Sequence, residues 1–462
     1  MEGRRQLTSS SSHSPKNNSQ VANTVIPMVE LAFSASDYLE RQSQFLSQIP
    51  SDSLVLIPTN PVAYRSNDTS FPFRANSYLL YLCGWSDPEA VFMAYHDADS
   101  WVTTLFVQPR DTKAEIWTGR RVGTEGAASG WPVDESKSMD DIEDIVAARL
   151  DACKQVYLIQ GVNSTLDEMV SSAVGTDSAD PTPILDEMRV RKSDREIQLM
   201  QESADIASAA HIEAMRATYS GIGEWQLQAI IEGYFTSNKS QWSYPSIVGG
   251  GDNATILHYN VNSADISDGE LVLVDAGCEV KGYASDITRT WPVNGKFNDA
   301  QREIYELVLK AQIAGIGACQ AGSPWSAMHQ ATSIVLAQGL IDLGILNCSL
   351  EEALGEDFDG PYRNYFMHGT GHMLGLDVHD VGGGRQGDEG PERELEPGIV
   401  LTVEPGLYFG TWRTDVEIPE RYSGIGVRIE DDVLITEGDP VVLTSNCPKT
   451  IDEIEALIGS DR

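Results

Sequence analysis

Leu271-Val-Leu-Val-Asp275 begins the most informative segment of the chain, which continues as Ala276-Gly-Cys-Glu-Val-Lys-Gly-Tyr-Ala-Ser-Asp286. The apolar, β-branched run predicts a buried strand with Asp275 at its end. Two later runs, Val400-Leu-Thr-Val-Glu404 and Gly426-Val-Arg-Ile-Glu430, have the same form. Because burial of several carboxylates is costly unless cations neutralise them, acids at the ends of apolar strands indicate a metal site.

Five residues of the second half form the candidate metal site: Asp275, Asp286, His372, Glu404 and Glu430. Four carboxylates and one imidazole suit two divalent cations that share bridging oxygens and hold a water between them. Spacing alone would be weak evidence, because the chain contains 69 Asp and Glu residues. The apolar residues before the strand-end acids argue against acids scattered over the surface, and hydrolysis is therefore the leading hypothesis.

Three histidines lie within the short segment His368-Gly-Thr-Gly-His-Met-Leu-Gly-Leu-Asp-Val-His379. The four-residue step from His368 to His372 would suit a helical metal pair, but the intervening glycines argue against a helix. We therefore predict that His372 alone is a ligand and that the other histidines handle substrate and protons. By itself, His258 is weak evidence, because a lone histidine is more often a structural residue.

The composition excludes several classes of protein. An apolar fraction of 41% and a mean hydropathy of -0.23 suit a soluble globular chain, and no run of about 18 apolar residues offers a membrane span. With 32 Lys and Arg residues against 69 acids, the formal charge is -37. This charge would repel a phosphate backbone and an anionic membrane, so we expect neither nucleic acid nor membrane as a partner. It fits either a heavily solvated surface or adaptation to high salt.

Residues 1–28 are rich in Ser, Asn and Gln without an apolar core, which predicts a disordered tail and not a secretory signal. An organelle transit peptide is the alternative, because Ser and Arg are present and acids are nearly absent. The six cysteines lack CxxC pairs and a disulfide-like spacing, which predicts reduced thiols in a cytoplasmic protein: Cys83, Cys153, Cys278, Cys319, Cys348 and Cys447.

The length of 462 residues predicts two folded domains. Residues 29–187 alternate short β-like runs with helical stretches, which indicates an α/β domain. The second domain, residues 188–455, begins near Ser193-Asp-Arg-Glu196, a capping box that predicts the start of a long helix. Strand-like runs that end on acids follow, together with helical segments near residues 299–320 and 325–343, so this domain is predicted to be α+β.

At these residues the chain resembles the pita-bread metallopeptidases, and specifically the aminopeptidase P (Xaa-Pro aminopeptidase) family. The resemblance covers nearly the whole chain after residue 30. The segments that carry it lie in both predicted domains: Tyr64-Arg-Ser-Asn67, Gly84-Trp-Ser-Asp-Pro-Glu-Ala90, Ala114-Glu-Ile-Trp-Thr-Gly-Arg-Arg121, Ile256-Leu-His-Tyr259, Leu273 to Thr290, Phe366-Met-His-Gly-Thr-Gly-His372, Gly375-Leu-Asp-Val-His-Asp-Val-Gly382, Leu395-Glu-Pro-Gly398, Thr402-Val-Glu-Pro-Gly-Leu-Tyr408 and Gly426-Val-Arg-Ile-Glu-Asp431.

The resemblance implies an α+β fold, with a C-terminal pita-bread metallopeptidase domain preceded by a smaller, creatinase-like α/β domain. It also implies a homo-oligomer, a dimer or a tetramer, although Leu80 stands where related bacterial enzymes often carry a tryptophan that reaches a neighbouring subunit. Two manganese ions are implied as cofactors; cobalt, zinc or iron would also suit the donors. Asp275 would chelate one metal, Asp286 and Glu430 would bridge both, and His372 and Glu404 would complete the other.

The implied activity is hydrolysis of the N-terminal Xaa-Pro bond by a hydroxide that bridges the two metals, and the partners are peptides with proline at the second position. Glu404 would carry the proton from the water to the proline nitrogen. The other expected site residues are His258 near the scissile bond, His368 and His379 around the carbonyl oxygen, Arg428 as an orienting residue, and Tyr408 in the substrate pocket. Either Arg385 or Arg393 would serve as the substrate-side arginine, a choice that the sequence leaves open.

Two alternatives follow from the same resemblance. Prolidase shares the ligands and the two-domain plan but takes only dipeptides. A catalytically silent pita-bread binding protein would lack metal ligands, and none of the five is missing here.

Overall fold

The computed structural model describes residues 31–174, 178–387 and 390–460, so the predicted disordered tail lies outside the described residues. The α-helices, numbered along the chain, are α1 (Ala35–Leu46), α2 (Ser77–Cys83), α3 (Thr112–Thr118), α4 (Gly123–Gly130), α5 (Ile142–Leu150), α6 (Ser164–Val174), α7 (Thr182–Val190), α8 (Asp194–Ala217), α9 (Glu224–Ser237), α10 (Asp299–Ala318), α11 (Ser326–Asp342), α12 (Leu350–Leu354) and α13 (Ile451–Leu457).

The strands are β1 (Ser53–Pro58), β2 (Tyr64–Ser66), β3 (Thr69–Ser70), β4 (Val91–Asp97), β5 (Ser100–Val107), β6 (Glu135–Ser138), β7 (Gln155–Leu158), β8 (Gln241–Trp242), β9 (Ile247–Gly250), β10 (Leu271–Asp275), β11 (Cys278–Val280), β12 (Tyr283–Ala284), β13 (Thr288–Pro292), β14 (Val400–Val403), β15 (Gly406–Tyr408), β16 (Gly426–Arg428), β17 (Asp431–Leu434) and β18 (Val441–Val442). Short 3₁₀ helices occupy Met139–Asp141, Gly251–Thr255, Pro361–Asn364 and Glu420–Tyr422.

A five-stranded mixed sheet with the order β6-β5-β4-β1-β7 forms the centre of the N-terminal part. The strands β1, β4 and β5 pair antiparallel, and β7 and β6 join the edges in parallel. Side chains of β1 alternate between two cores, because successive residues of a strand face opposite sides. Val55 and Ile57 pack with α1 and α2, whereas Leu54 and Leu56 pack with α5 and α6. The predicted α/β character of this part is confirmed.

The long helix α8 begins at the predicted capping box. The Ser193 backbone N–H donates to Glu196 Oε2 at 2.9 Å, and the Glu196 N–H donates to Ser193 Oγ at 3.5 Å. Glu196 also accepts a hydrogen bond from Tyr283 at 2.7 Å and lies 3.2 Å from the Arg41 guanidinium. Because Arg41 lies in α1, the start of α8 is tied to both halves of the chain.

Asp275 ends β10, and the other candidate acids lie in short gaps between strands. Glu404 follows β14, which pairs with β17, and the chain then continues as β15, which pairs with β16. Glu430 lies at the converse change of partner, between β16 and β17. Glu404 and Glu430 thus follow their strands by one and two residues, in agreement with the prediction of acids at strand ends. Pro405, which has no N–H for a ladder, stands where the first change occurs.

Helices α10 and α11 pack on the strands of the C-terminal part through a large apolar core that includes Val308, Ala311 and Leu336. All six cysteines are free thiols, as predicted. No helix in the described ranges combines the length and the hydropathy that a bilayer span needs. The observed mixture of helices and strands confirms the predicted α+β class.

Candidate metal centre

One cavity of about 610 Å³ brings together the candidate residues from distant parts of the chain. All five predicted ligands line it, together with His258, His368, His379 and Arg428. Tyr408, only 1% exposed, lies directly behind the wall and is hydrogen-bonded to both Arg428 and His368. The chain segments from which the metal site was predicted therefore meet at one place in the fold.

The tightest part of the centre is formed by Asp286, His372 and Glu430, whose possible ligand atoms all lie within 4.8 Å of one another. His372 Nε2 lies 3.5 Å from Asp286 Oδ2 and 3.6 Å from Glu404 Oε1. Asp275 adjoins this group, because the Tyr244 hydroxyl is within hydrogen-bonding distance of both Asp275 and Asp286. Asp286 thus lies close to His372 and shares the Tyr244 hydroxyl with Asp275.

Burial gives the centre the electrostatics of a cation site. It raises the pKa of Glu404 to about 7 and also raises the pKa of Glu430 and of Asp275. Burial opposes ionisation of Asp286 as well, but the hydrogen bond and charge of His372 hold its pKa below the usual value. Cations relieve the cost of these buried acids, and oxygen and imidazole donors suit divalent ions. The donor set therefore fits a divalent metal.

His372 has a raised pKa in the absence of metal. Burial by itself would lower the pKa of His372, but the hydrogen bond with Asp286 and the charge of Glu404 raise it to about 9. Its Nδ1 lies 2.9 Å from the Met373 carbonyl oxygen, which leaves Nε2 directed toward the acids. A metal at Nε2 must therefore displace a proton from this ring.

Arg428 contacts the ligand set in two ways. Its Nη2 donates to Asp275 Oδ2 at 2.6 Å. Its Nε donates to Thr288 Oγ1 at 3.1 Å, and that hydroxyl in turn donates to Glu430 Oε2 at 2.6 Å. Arg428 is 3% exposed, so that these bonds are made in a nearly dry environment. It therefore touches one predicted ligand directly and a second one through Thr288.

His368 is a neutral link in a hydrogen-bonded chain that begins at Arg428. Burial lowers the pKa of His368 to about 3, and the charge of Arg428 acts in the same direction. Its Nδ1 lies 2.7 Å from the Gly369 carbonyl oxygen and must carry the hydrogen, so that Nε2 accepts from the Tyr408 hydroxyl at 2.7 Å. Arg428 Nη1 donates to the same hydroxyl at 3.0 Å.

The other two histidines lie at the wall of the cavity. His379 packs edge-on against His372, with ring centroids 4.4 Å apart. Burial and the neighbouring His372 lower the pKa of His379. His258 follows the 3₁₀ turn Gly251–Thr255 and is exposed to the cavity. Both side chains line the cavity.

The two candidate substrate-side arginines lie elsewhere. Arg393 is 3% exposed, pairs with Glu187 at 2.6 Å and donates to the Gly382 carbonyl oxygen at 3.1 Å. Arg385 is exposed and donates to the Gly390 carbonyl oxygen at 3.2 Å. Neither lines the cavity of the centre.

Three hydroxyl residues that were not predicted from the sequence are hydrogen-bonded to the predicted ligands: Tyr244, Thr288 and Thr402. Thr402 Oγ1 accepts from the His372 N–H at 3.0 Å and lies 3.3 Å from Glu404 Oε1. Gly371 makes this approach possible, since a Cβ there would lie 1.8 Å from the Thr402 carbonyl oxygen. The two threonines occur inside segments already singled out, whereas Tyr244 precedes its partners by 31 and 42 residues and gave no local signal.

Replacing Tyr244 by Phe is expected to weaken metal binding by about ten- to a hundredfold, because the ring keeps its packing but no longer orients Asp275 and Asp286. Isothermal titration of metal-free protein with Mn²⁺ measures the affinity. Tyr422→Phe is the matched control, since the Tyr422 hydroxyl donates to Glu303, outside the ligand set. An unchanged affinity in Tyr244→Phe would contradict the assigned contact.

Comparison with known proteins covers both parts of the chain. Residues 198–437 match the sequence pattern of Metallopeptidase family M24, and residues 38–157 match Aminopeptidase P, N-terminal domain. The chain is 40% identical over 438 residues to the Xaa-Pro aminopeptidase of Haemophilus influenzae, an alignment that covers 93% of this chain and 100% of the relative.

Solved structures agree with the sequence matches. The structure of Pseudomonas aeruginosa aminopeptidase PepP superimposes with a TM-score of 0.88 at 37% identity, covering 93% of this chain and 99% of that one. The zinc-substituted Escherichia coli aminopeptidase P in complex with product gives a TM-score of 0.87 at 39% identity, with coverage of 93% and 99%. The chain therefore belongs to metallopeptidase family M24, with a pita-bread metallopeptidase domain preceded by an aminopeptidase P N-terminal domain.

Proposed function

We propose that this protein is a metal-dependent aminopeptidase that hydrolyses the N-terminal Xaa-Pro bond of peptides. The observation that carries the proposal is the convergence of five metal-ligand residues and three further histidines in one cavity. Membership of family M24 and 40% identity to a Xaa-Pro aminopeptidase support the same reaction. A catalytically silent binding protein is not favoured, because all five ligand positions are filled by residues able to bind metal.

Two divalent ions, which we propose to be manganese, are assigned to this centre. Asp275 would hold one ion, His372 and Glu404 the other, and Asp286 and Glu430 both. When bound, the ions supply a nucleophilic water near neutral pH and polarise the scissile carbonyl. The choice of manganese rests on the family resemblance, since the same donors accept cobalt, zinc or iron.

Glu404 is the proposed proton carrier. Its backbone N–H donates to the Thr370 carbonyl oxygen at 2.7 Å, and its Oε1 accepts from the Thr402 hydroxyl at 3.3 Å, so Glu404 is held through both its backbone and its side chain. A positioned carboxylate that faces both the water and the leaving group can take a proton from the first and deliver it to the second. We assign the proline nitrogen as the acceptor in the second transfer.

The preference for proline follows from the leaving group. The Xaa-Pro amide has no N–H and its ring fixes φ, so that a peptidase that must bind that N–H rejects it. A site that delivers a proton to the nitrogen has no such requirement. His258 would lie near the scissile bond. His379 and His368, the latter held by Tyr408, would support the carbonyl oxygen.

Replacing His258 by Ala is expected to lower kcat/KM about a hundredfold, because the ring lies at the cavity wall beside the proposed scissile bond. His96→Ala is the matched control, since His96 lies in β4 and packs on Trp101 in the N-terminal part. Initial rates on an Ala-Pro-Ala peptide measure both variants. A near-normal rate for His258→Ala would contradict its proposed place.

Activity on Ala-Pro-Ala, compared with the dipeptide Ala-Pro, tests the proposed function directly. We expect manganese-dependent release of alanine from the tripeptide. Cleavage of the dipeptide alone would instead identify a prolidase, which the family comparisons do not favour. No hydrolysis of either peptide by manganese-loaded protein would make a silent binding protein the better account.

The proposal includes two further properties, the oligomeric state and the location in the cell. We propose a homo-oligomer, a dimer or a tetramer, from the family resemblance alone. Light scattering after size exclusion tests it, and a monomeric mass would contradict it.

We propose a cytoplasmic location from the free, unpaired cysteines and the composition. Fractionation of source cells would test that assignment.

A further inference from the structure

A second cavity, of about 500 Å³, opens between the N-terminal and C-terminal parts beside the metal centre. Val378 and His379 line both cavities, so the second lies directly beside the first. Three aromatic residues form much of its wall: Phe71, Phe73 and Trp242. We call the space bounded by these three residues and by His379 the aromatic cleft. Its volume lies within the range of about 300 to 1,000 Å³ that is usual for ligand sites.

The aromatic side chains of the cleft are unusually exposed. Phe71 is 52% exposed and Trp242 is 45% exposed. Trp242 lies in β8, whose partner strand β11 follows Asp275 by three residues, so the cleft wall is built on the same scaffold as the centre. Large aromatic residues gathered around an open cavity are typical of surfaces that bind another chain.

The Arg, Glu and Asp side chains of the cleft are already paired. Among the described residues that line it, Arg74 is the sole guanidinium or ammonium group. Its Nε donates to Glu279 at 3.0 Å, and its other N–H groups donate to the carbonyl oxygens of Ala75, Gly282 and Leu376 and to the Ser77 hydroxyl. The carboxylate of Asp377 is likewise bonded to Ser77 and Arg189.

Because every N–H group of Arg74 already donates a hydrogen bond, this residue limits the kind of ligand that the cleft can bind. A terminal carboxylate would need an unpaired cation, and Arg74 has no N–H to spare. An uncharged peptide segment with apolar side chains needs none, and it gains from burial against Phe71 and Trp242. The chemistry of the cleft therefore favours the interior of a peptide over its charged end.

We propose that the aromatic cleft binds the substrate residues that follow proline and selects apolar or aromatic side chains at the third and fourth positions. The inference rests on the proposed function, because His379 belongs both to the scissile-bond pocket and to the cleft. An extended chain advances about 3.3 to 3.6 Å per residue, so two residues beyond proline carry the peptide about 7 Å past His379. Peptides longer than three residues are thus the preferred substrates.

The test compares kcat/KM for Ala-Pro-Phe-Phe-Ala with that for Ala-Pro-Ala. The long peptide is expected to be the better substrate by about tenfold, and Trp242→Ala is expected to bring the ratio close to one. Phe71→Ala should move the ratio in the same direction. Trp225→Ala is the matched control, since Trp225 is 46% exposed on α9 and does not line the cleft. It should keep the wild-type ratio.

Two results would overturn the inference. One is an unchanged ratio in Trp242→Ala, whether or not both peptides lose rate equally. The other is a change of oligomeric state in light scattering, which would assign the cleft to a second copy of the chain. A wild-type protein that fails to cleave Ala-Pro-Ala would overturn the proposed function instead. The cleft is then tested by calorimetric titration with the long peptide, where Trp242→Ala should still bind about tenfold more weakly. Equal binding would overturn the inference there too.

Discussion

Glu404→Gln is expected to lower kcat by about a thousandfold or more while the fold remains intact. General acid–base catalysis by a positioned side chain contributes about 10² to 10⁴ in rate. The amide keeps the size of the carboxylate but cannot take a proton from water at neutral pH, and it also removes one negative charge from the proposed ligand set. Both losses act on the same step, so little residual turnover is expected.

Initial rates on Ala-Pro-Ala at saturating manganese measure this loss, and circular dichroism checks the fold. Glu420→Gln is the matched control, because Glu420 is exposed in a 3₁₀ turn and does not line the cavity, so this variant should turn over normally. Wild-type rates in Glu404→Gln would remove Glu404 from the mechanism. A metal content assay separates loss of the proton carrier from loss of an ion.

Signals that are local in sequence made much of the centre predictable. Four apolar residues precede Asp275 and form β10 with it, as expected. The glycines around His372 predicted that this segment is not a helix, and it is not. Such signals work because burial and backbone freedom are properties of neighbouring residues. The capping box at Ser193 is predictable for the same reason, since both of its partners lie within one turn.

Contacts between distant segments explain what the sequence did not reveal. Tyr244 meets Asp275 and Asp286 only because β8 pairs with β11, which no local pattern specifies. The change of pairing around Glu404 is likewise a contact between distant segments, because β14 before it pairs with β17 and β15 after it pairs with β16. A run of apolar residues predicts that a segment is a strand, but the register and the partner are set by tertiary packing.

Removing the metals is expected to abolish turnover and to make the stability of the protein fall as pH rises. In the metal-free fold the pKa of Glu404 is raised by burial from 4.5 to about 7. Below pH 4.5 the folded and unfolded states are both protonated, and no stability is lost there. As pH rises from 4.5 to about 7 the unfolded state releases this proton while the folded state retains it, which costs about 3 kcal/mol of stability by the time the buried acid ionises.

His372 acts in the same direction as Glu404. Its pKa is raised from 6.5 to about 9, so the stabilisation that its charged ring provides is complete below pH 6.5 and is lost as pH rises through 9. Surface carboxylates with ordinary pKa values are ionised throughout this range and contribute little to the slope. The formal charge of -37 is therefore not the source of the expected trend.

Calorimetry of chelator-treated protein at pH 6, 7 and 8 measures the effect, and Tm should fall by several degrees across this range. Metal-free Glu404→Gln should show a flatter profile and a higher Tm than the wild type at pH 8, because a neutral amide has no charge to bury. The substitution that removes activity would thus stabilise the metal-free fold. Added Mn²⁺ should raise Tm more at pH 8 than at pH 6, since metal binding must displace protons from His372 and the acids. A metal-free Tm that stays constant or rises from pH 6 to pH 8 would contradict the assignment of these residues to a cation site.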